Sequence, residues 1–302
     1  MFNEKIACGY LYTITKYGYP PNGLNTLQYM DEMHELGFQS IELEGIREKH
    51  LIDVHSIKND IVKKKNELQL NIPYFCVVLP ELSSMDPAIR NHQLELFEKG
   101  CEVGKAVGAI GVLDNAPLPN YQFPSDVPIV RHYSEEVLAS AFFPKELKWS
   151  KFWDTLTSTY AECCDIAARY GLTYNMHPAV GVLAATTDAF LYFYDAVNRD
   201  NLKFNLDTAN QYMMKDNLAL SLVRLEDHID YIHLSDNNGT KVEHVEPGNG
   251  TIRWDVFFET LERINFKGHI GIDIGGDESN VEDRDAAYKR TVKFIEENWK
   301  SI

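Results

Sequence analysis

Short apolar runs recur along the chain, with room for a helix between each pair. They are KIACGYL near the start, SIELEG at 40–45, IPYFCVVL at 72–79, AIGVL at 109–113, LTYNMH at 172–177, LKFNLD at 202–207, YIHLSD at 231–236 and HIGIDI at 269–274. Their richness in Ile, Val, Leu, Phe and Tyr marks strands. Between them apolar residues recur at three- and four-residue spacing, as in LNTLQYMDEMHELGF, DIVKKKNELQL, HQLELFEKGCEVGKAVG, KFWDTLTSTYAECCDIAARYG and WDVFFETLERINF. Several of these helical stretches end at glycine, the usual residue just past a helix C-terminus. Strand alternating with helix implies parallel strands joined by helical crossovers. Eight such units predict a closed (β/α)8 TIM barrel, an α/β fold forming a single domain over residues 1–302.

An open doubly wound sheet is the competing architecture, but YGYPPNG follows the first strand where a dinucleotide-binding GxGxxG would stand. The long irregular stretch is 114–149, an inserted segment after strand four. Its prolines and aromatics, including Tyr121, Phe123, Phe142 and Phe143, predict an ordered lid over the strand mouths or a contact between subunits of a homo-oligomer.

Composition narrows the function classes. A net charge of −16 argues against a nucleic-acid partner, whose phosphates need clustered Lys and Arg, and favours a small-molecule ligand. The five cysteines follow neither a disulfide framework nor zinc CxxC spacing. They read as reduced thiols of a cytoplasmic protein. No apolar run approaches the roughly 18 residues of a membrane span, and the N-terminal apolar pieces are interrupted by Lys5 and Lys16, unlike a signal peptide.

In a parallel barrel the loops that carry chemistry converge at the C-terminal strand ends. His177, Asp207, His233, Asp236 and Asp273 close the last four predicted strands. Singly, each has a plain structural reading: His177 as a turn residue before Pro178, Asp207 as a helix cap, Asp273 as a loop acid beside Gly275 and Gly276. Together, two imidazoles and several carboxylates in one mouth are most simply explained by a divalent cation.

Three segments, FNLDTANQ at 204–211, YIHLSDNN at 231–238 and HVEPGNGTIRWDVFFETL at 244–261, complete a pattern. The chain resembles the xylose isomerase-like TIM barrel superfamily, specifically its sugar phosphate isomerase/epimerase family, over essentially its whole length. That resemblance implies four metal ligands from strands five to eight, normally Glu, Asp, His and Glu. Asp207 and His233 match the second and third. His177 stands where the fifth-strand Glu is expected and then substitutes for it, and Asp273 replaces the final Glu. Asn210 takes the place of a substrate-binding His, and His244 matches a loop histidine able to touch substrate or a second ion. Asp236 is expected to orient His233, as outer carboxylates do for metal-bound imidazole. Glu44 and Glu81 are further candidates to contact sugar hydroxyls.

The implied activity is a divalent-metal-dependent sugar isomerase or epimerase, with Mn²⁺ favoured and Zn²⁺ or Fe²⁺ also suited by two imidazoles. In that family the two glutamates at the metal also pass the proton beside the carbonyl. The catalytic candidates here are therefore Asp273 and His177. A metal-bound imidazole cannot be ligand and base through one nitrogen, so proton transfer falls to Asp273. The alternative keeps fold and metal but eliminates, as lyases and dehydratases acting on an oxo-sugar or cyclitol do. A related DNA-repair endonuclease needs further histidines on earlier strands, where Val78, Leu79, Asp114 and Asn115 stand instead. A non-catalytic sugar-binding relative is made less attractive by the intact Asp207 and His233.

Overall fold

The computed structural model describes residues 1–125, 127 and 133–302. Nine parallel strand segments form its sheet: β1 (Ile6–Cys8), β2 (Ser40–Ile41), β3 (Leu43–Ile46), β4 (Tyr74–Val78), β5 (Gly111–Asn115), β6 (Thr173–His177), β7 (Leu202–Asp207), β8 (Tyr231–Leu234) and β9 (His269–Ile272). Their order runs β2-β1-β9-β8-β7-β6-β5-β4-β3. Only Glu42 separates the two ends of that order, so β2 and β3 are halves of one broken stave. The ring is an eight-stave α/β barrel of the expected kind.

The first stave is shorter than KIACGYL suggests. It stops at Cys8, and Leu11–Tyr17 is helical. Gly9 makes the turn between them, where an added Cβ would collide with the carbonyl oxygen of Ile272. The inner face of the barrel holds Tyr74, Cys76, Leu113 and Tyr231, with Tyr74 stacked on Tyr231 at 4.1 Å between ring centroids. A larger apolar layer lies between strands and outer helices. The helix Pro87–Val107 illustrates why the sequence folds this way. Asp86 caps its first turn by accepting from Ala88 N–H, Pro87 opens it, and Gly108 ends it in the left-handed region at φ 78°.

Within 114–149, Gln122 and Phe142 form an antiparallel bridge, and Ser134 caps a short helix, Glu135–Ala139. Leu138 packs on Gly181 just beyond β6. Tyr121 lies 5.7 Å from Phe123 and 5.4 Å from Phe143 between ring centroids, so these aromatics cover one another in part. Phe142 and Phe143 nevertheless remain half-exposed. Residues 126 and 128–132 of the expected lid lie outside the described residues. No helix among the described residues is long and apolar enough to cross a membrane.

Candidate metal centre and active site

The last four staves place their terminal residues in one buried group. One donor atom from each of His177, Asp207, His233 and Asp273 lies within 4.8 Å of all the others. All four residues are at least nine-tenths buried. Parallel register brings them level: Asp207 pairs with His233 across β7 and β8, and Asn115 pairs with His177 across β5 and β6. Asp273 follows β9 directly, its backbone N–H donating to the Leu234 carbonyl.

His177 Nε2 is 3.0 Å from Asp207 Oδ2, and the other oxygen of Asp207 accepts from Asn210 N–H at 2.7 Å, capping the helix Thr208–Met213. Asp207 is therefore a helix cap and a member of the cluster at once. Burial alone would raise its pKa. The hydrogen bond from His177 and the charges of His177, His244 and His233 outweigh burial and hold the carboxyl well below its usual range. Burial also lowers His177, which Asp207 only partly offsets.

Whether a cation fits can be judged from the donors. Nδ1 of His177 and Nδ1 of His233 are buried with no hydrogen-bond partner among the described residues. Two such nitrogens beside two carboxylates, in a site drawn out of water, are a costly arrangement that one divalent ion would satisfy.

The partner that orients His233 is Glu42, not Asp236. His233 Nε2 is 2.9 Å from Glu42 Oε2, which also accepts from Tyr231 Oη at 2.8 Å, while Oε1 accepts from Tyr10 N–H at 3.1 Å. Burial would depress His233, but the Glu42 carboxylate overrides it and pushes the imidazole up to about 9. Asp236 is committed elsewhere, accepting from Trp254 Nε1 at 2.9 Å and from the N–H groups of Gly248, Asn237 and Ile252. It shapes the 236–254 loop. Glu42 was overlooked in the sequence although it sits two residues before Glu44. That spacing puts both acids on one face of a strand.

The remaining candidates separate. His244 is fully buried, with Nε2 at 4.0 Å from Asp207 Oδ2 and 3.9 Å from Asp273 Oδ2 and Nδ1 at 3.3 Å from Glu278 Oε1. Its backbone is clamped by Ser279 Oγ and the Gly275 N–H. Glu44 lines a cleft together with His177, His233, Asp273, Tyr19 and Asn115. Asn210 is buried beside Asp207, and its Nδ2 has no hydrogen-bond partner among the described residues. Glu81 stands apart from the residues lining that cleft, exposed on the turn Pro80–Ser83, where it accepts from Gln93 Nε2 at 3.1 Å and anchors the following helix.

Asp114 was also missed as a site residue. It is buried next to the mouth, accepting from Tyr174 Oη at 3.1 Å and Leu79 N–H at 3.4 Å. Burial dominates these hydrogen bonds and raises its pKa to about 7. Folded Asp114 thus keeps its proton to about pH 7, whereas the unfolded chain releases it near 3.8. The folded state binds the extra proton between those values, so stability falls as pH rises through that window. Asp114→Asn should remove this loss, stabilising the protein at pH 8 relative to the unmodified chain by up to a few kcal/mol, about 1.4 for each pKa unit. Thermal unfolding at pH 5 and pH 8 reads it; an advantage for the variant that does not grow with pH would contradict the assignment.

Comparison with known proteins agrees with this architecture. The family model described as xylose isomerase-like TIM barrel matches residues 30–298. D-psicose 3-epimerase of Enterocloster bolteae is 23% identical over 246 residues, covering 80% of this chain and 74% of its own. An uncharacterised protein of Methanocaldococcus jannaschii is 25% identical over 225 residues, 72% of this chain and 71% of that protein. Among solved structures, the 3-keto-D-glucoside 4-epimerase YcjR of E. coli superposes with a TM-score of 0.73 at 18% identity, covering 98% of this chain and 100% of that one. The D-allulose 3-epimerase of Methylomonas sp. in complex with D-allulose gives 0.74 at 17% identity, covering 99% and 98%. The IolI protein with a bound zinc atom gives 0.69 at 19% identity, again covering 99% and 98%.

Proposed function

Because the chain belongs to the xylose isomerase-like TIM barrel family, we propose that it is a divalent-metal-dependent sugar epimerase or isomerase, acting on a ketose by moving the proton beside the carbonyl. The observation that carries this reading is the buried quartet His177, Asp207, His233 and Asp273 at the strand mouths. Sugar epimerases among the relatives and structural neighbours support the same reaction class. A divalent ion held by the quartet, Mn²⁺ by family resemblance with Zn²⁺ or Fe²⁺ also suited, would supply the Lewis acidity that eases negative charge onto the substrate oxygens.

The side chains divide the remaining work. Asp273 takes the carbon-bound proton, because a carboxylate keeps a second basic oxygen when its first is engaged, and a proton delivered from solvent to the opposite face inverts the carbon. His177 occupies the position of the second proton-transferring carboxylate as a nitrogen donor. Glu44 at the cleft wall contacts substrate hydroxyls, His244, held by Glu278, stands behind Asp207 and Asp273 as a further candidate, and Asn210 Nδ2 offers another donor. Burial of the quartet strengthens each of these interactions relative to water. We place the enzyme in the cytoplasm.

The test is incubation of Mn²⁺-loaded protein with D-fructose, D-allulose and D-tagatose in D₂O. Deuterium entering carbon 3, with formation of the epimer, is the expected result. Absence of deuterium from all three with metal bound would sink the reading for free ketohexoses. A product with new ultraviolet absorbance would identify elimination instead.

The segment after β5 acts in this reading as a partial lid, with Leu138 seated on Gly181 beside the mouth. Replacing residues 119–145 by a short Gly-Ser link should lower turnover about tenfold or more while metal content stays unchanged. Unchanged turnover would remove the lid role.

A further inference from the structure

Beside the metal cleft lies a second cleft, walled by Arg47, Asp114, Asn115 and Tyr160. The two share Tyr19, Val78, Asn115 and Ala179 as lining residues, so they are adjacent. A single hexose bound at the quartet leaves this second space unexplained, because Arg47, Asp114 and Tyr160 line it and none of them lines the metal cleft.

Its polar groups are few and placed by the barrel. Asp114 and Asn115 end β5, and Asn115 is level with His177 across the ladder. Arg47 follows β3 with φ 54°, a left-handed conformation that is strained for a non-glycine residue and that gathers at ligand-holding positions. Its Nε is buried with no hydrogen-bond partner among the described residues. The rings of Tyr19 and Tyr160 and the face of Pro80 supply apolar area.

Among the described lining residues, one guanidinium, one carboxyl, one amide and the tyrosine hydroxyls offer donors and acceptors without a net excess of positive charge. Beside tyrosine rings, that set matches a neutral polyol with apolar ring faces better than an anion. We propose that this cavity is a subsite for a second, neutral sugar ring, with Arg47 as its principal hydrogen-bond donor, so that the preferred substrate is a glycosylated ketose. This rests on the ketose reading above and names its substrate class.

Calorimetry on the full Mn²⁺-loaded chain tests it, using D-fructose, D-fructose 6-phosphate and three keto-disaccharides, turanose, lactulose and isomaltulose, which carry the second ring at different oxygens. At least one disaccharide should bind about tenfold or more tightly than D-fructose, the scale of one hydrogen bond to a charged group. Arg47→Ala should abolish that gain and leave D-fructose affinity within about twofold, as expected for separated sites. Arg47→Gly guards against misfolding, since glycine accepts the left-handed backbone without strain; it should give the same result. The proposal is overturned if D-fructose binds and no disaccharide binds more tightly, if the gain survives in both variants, or if D-fructose 6-phosphate gains more than every disaccharide, which would assign Arg47 to an anionic group. If D-fructose and all three disaccharides fail to bind, the ketose reading fails and the subsite falls with it.

Discussion

Asp273→Asn is expected to slow exchange of the substrate's carbon-bound proton with solvent by about a hundredfold or more, the usual weight of a general base. The substitution preserves volume and one carbonyl oxygen while removing the basic one. Asp273 follows β9 directly and is almost fully buried, with its Oδ2 3.9 Å from His244 Nε2. His177 cannot take over easily, because its Nε2 is engaged with Asp207 and only Nδ1 lacks a partner among the described residues. Metal content has to be measured on the same sample, since loss of the ion would imitate loss of the base. Retained metal with near-normal exchange would move the role to Glu44 or His244.

The barrel was legible because each stave announces itself as an apolar run and each crossover as a 3.6-residue pattern. The strand-end rule then found four residues that the structure gathers, since parallel register levels the ends of neighbouring staves. Depth was less accessible. Period-two alternation tells which face a residue occupies but not how far below the mouth it lies. Glu44 was therefore chosen as a site residue while Glu42, at the break in the second stave, was passed over.

The Asp236 expectation failed for a related reason. Strand β8 ends at Leu234, so Asp236 belongs to a loop whose N–H groups and Trp254 indole absorb its carboxylate. Sequence spacing cannot tell which of two nearby acids an imidazole meets when the closer partner is 191 residues away in the chain. Asp114 was unreadable on similar grounds. Its raised pKa comes from burial among Tyr174, Leu79 and the mouth of the barrel, a property of the assembled fold.

Glu42→Gln is expected to weaken metal binding by about ten- to hundredfold at pH 9, the usual consequence of removing the carboxylate that orients a ligating imidazole. Two effects of Glu42 oppose each other and pH separates them. It fixes the His233 ring through Nε2 and makes the imidazole a stronger donor. It also stabilises the protonated ring, raising His233 to about 9 against the pull of burial, and an incoming cation must displace that proton. In the unmodified protein, affinity should therefore climb from neutral pH towards pH 9 as His233 gives up its proton. With Gln at position 42 the raising charge is gone, burial dominates, and affinity should change little over the same interval. The deficit of the variant should thus be small at pH 7 and full at pH 9. Tyr231→Phe, which removes only the phenol donating to Glu42 Oε2, should change affinity by no more than a few-fold, about the weight of one neutral hydrogen bond. Competition against a chelating dye at both pH values reads all three proteins, with circular dichroism to verify folding. Equal affinity of the variant and the unmodified chain at pH 9 would show that Glu42 does not support the metal ligand.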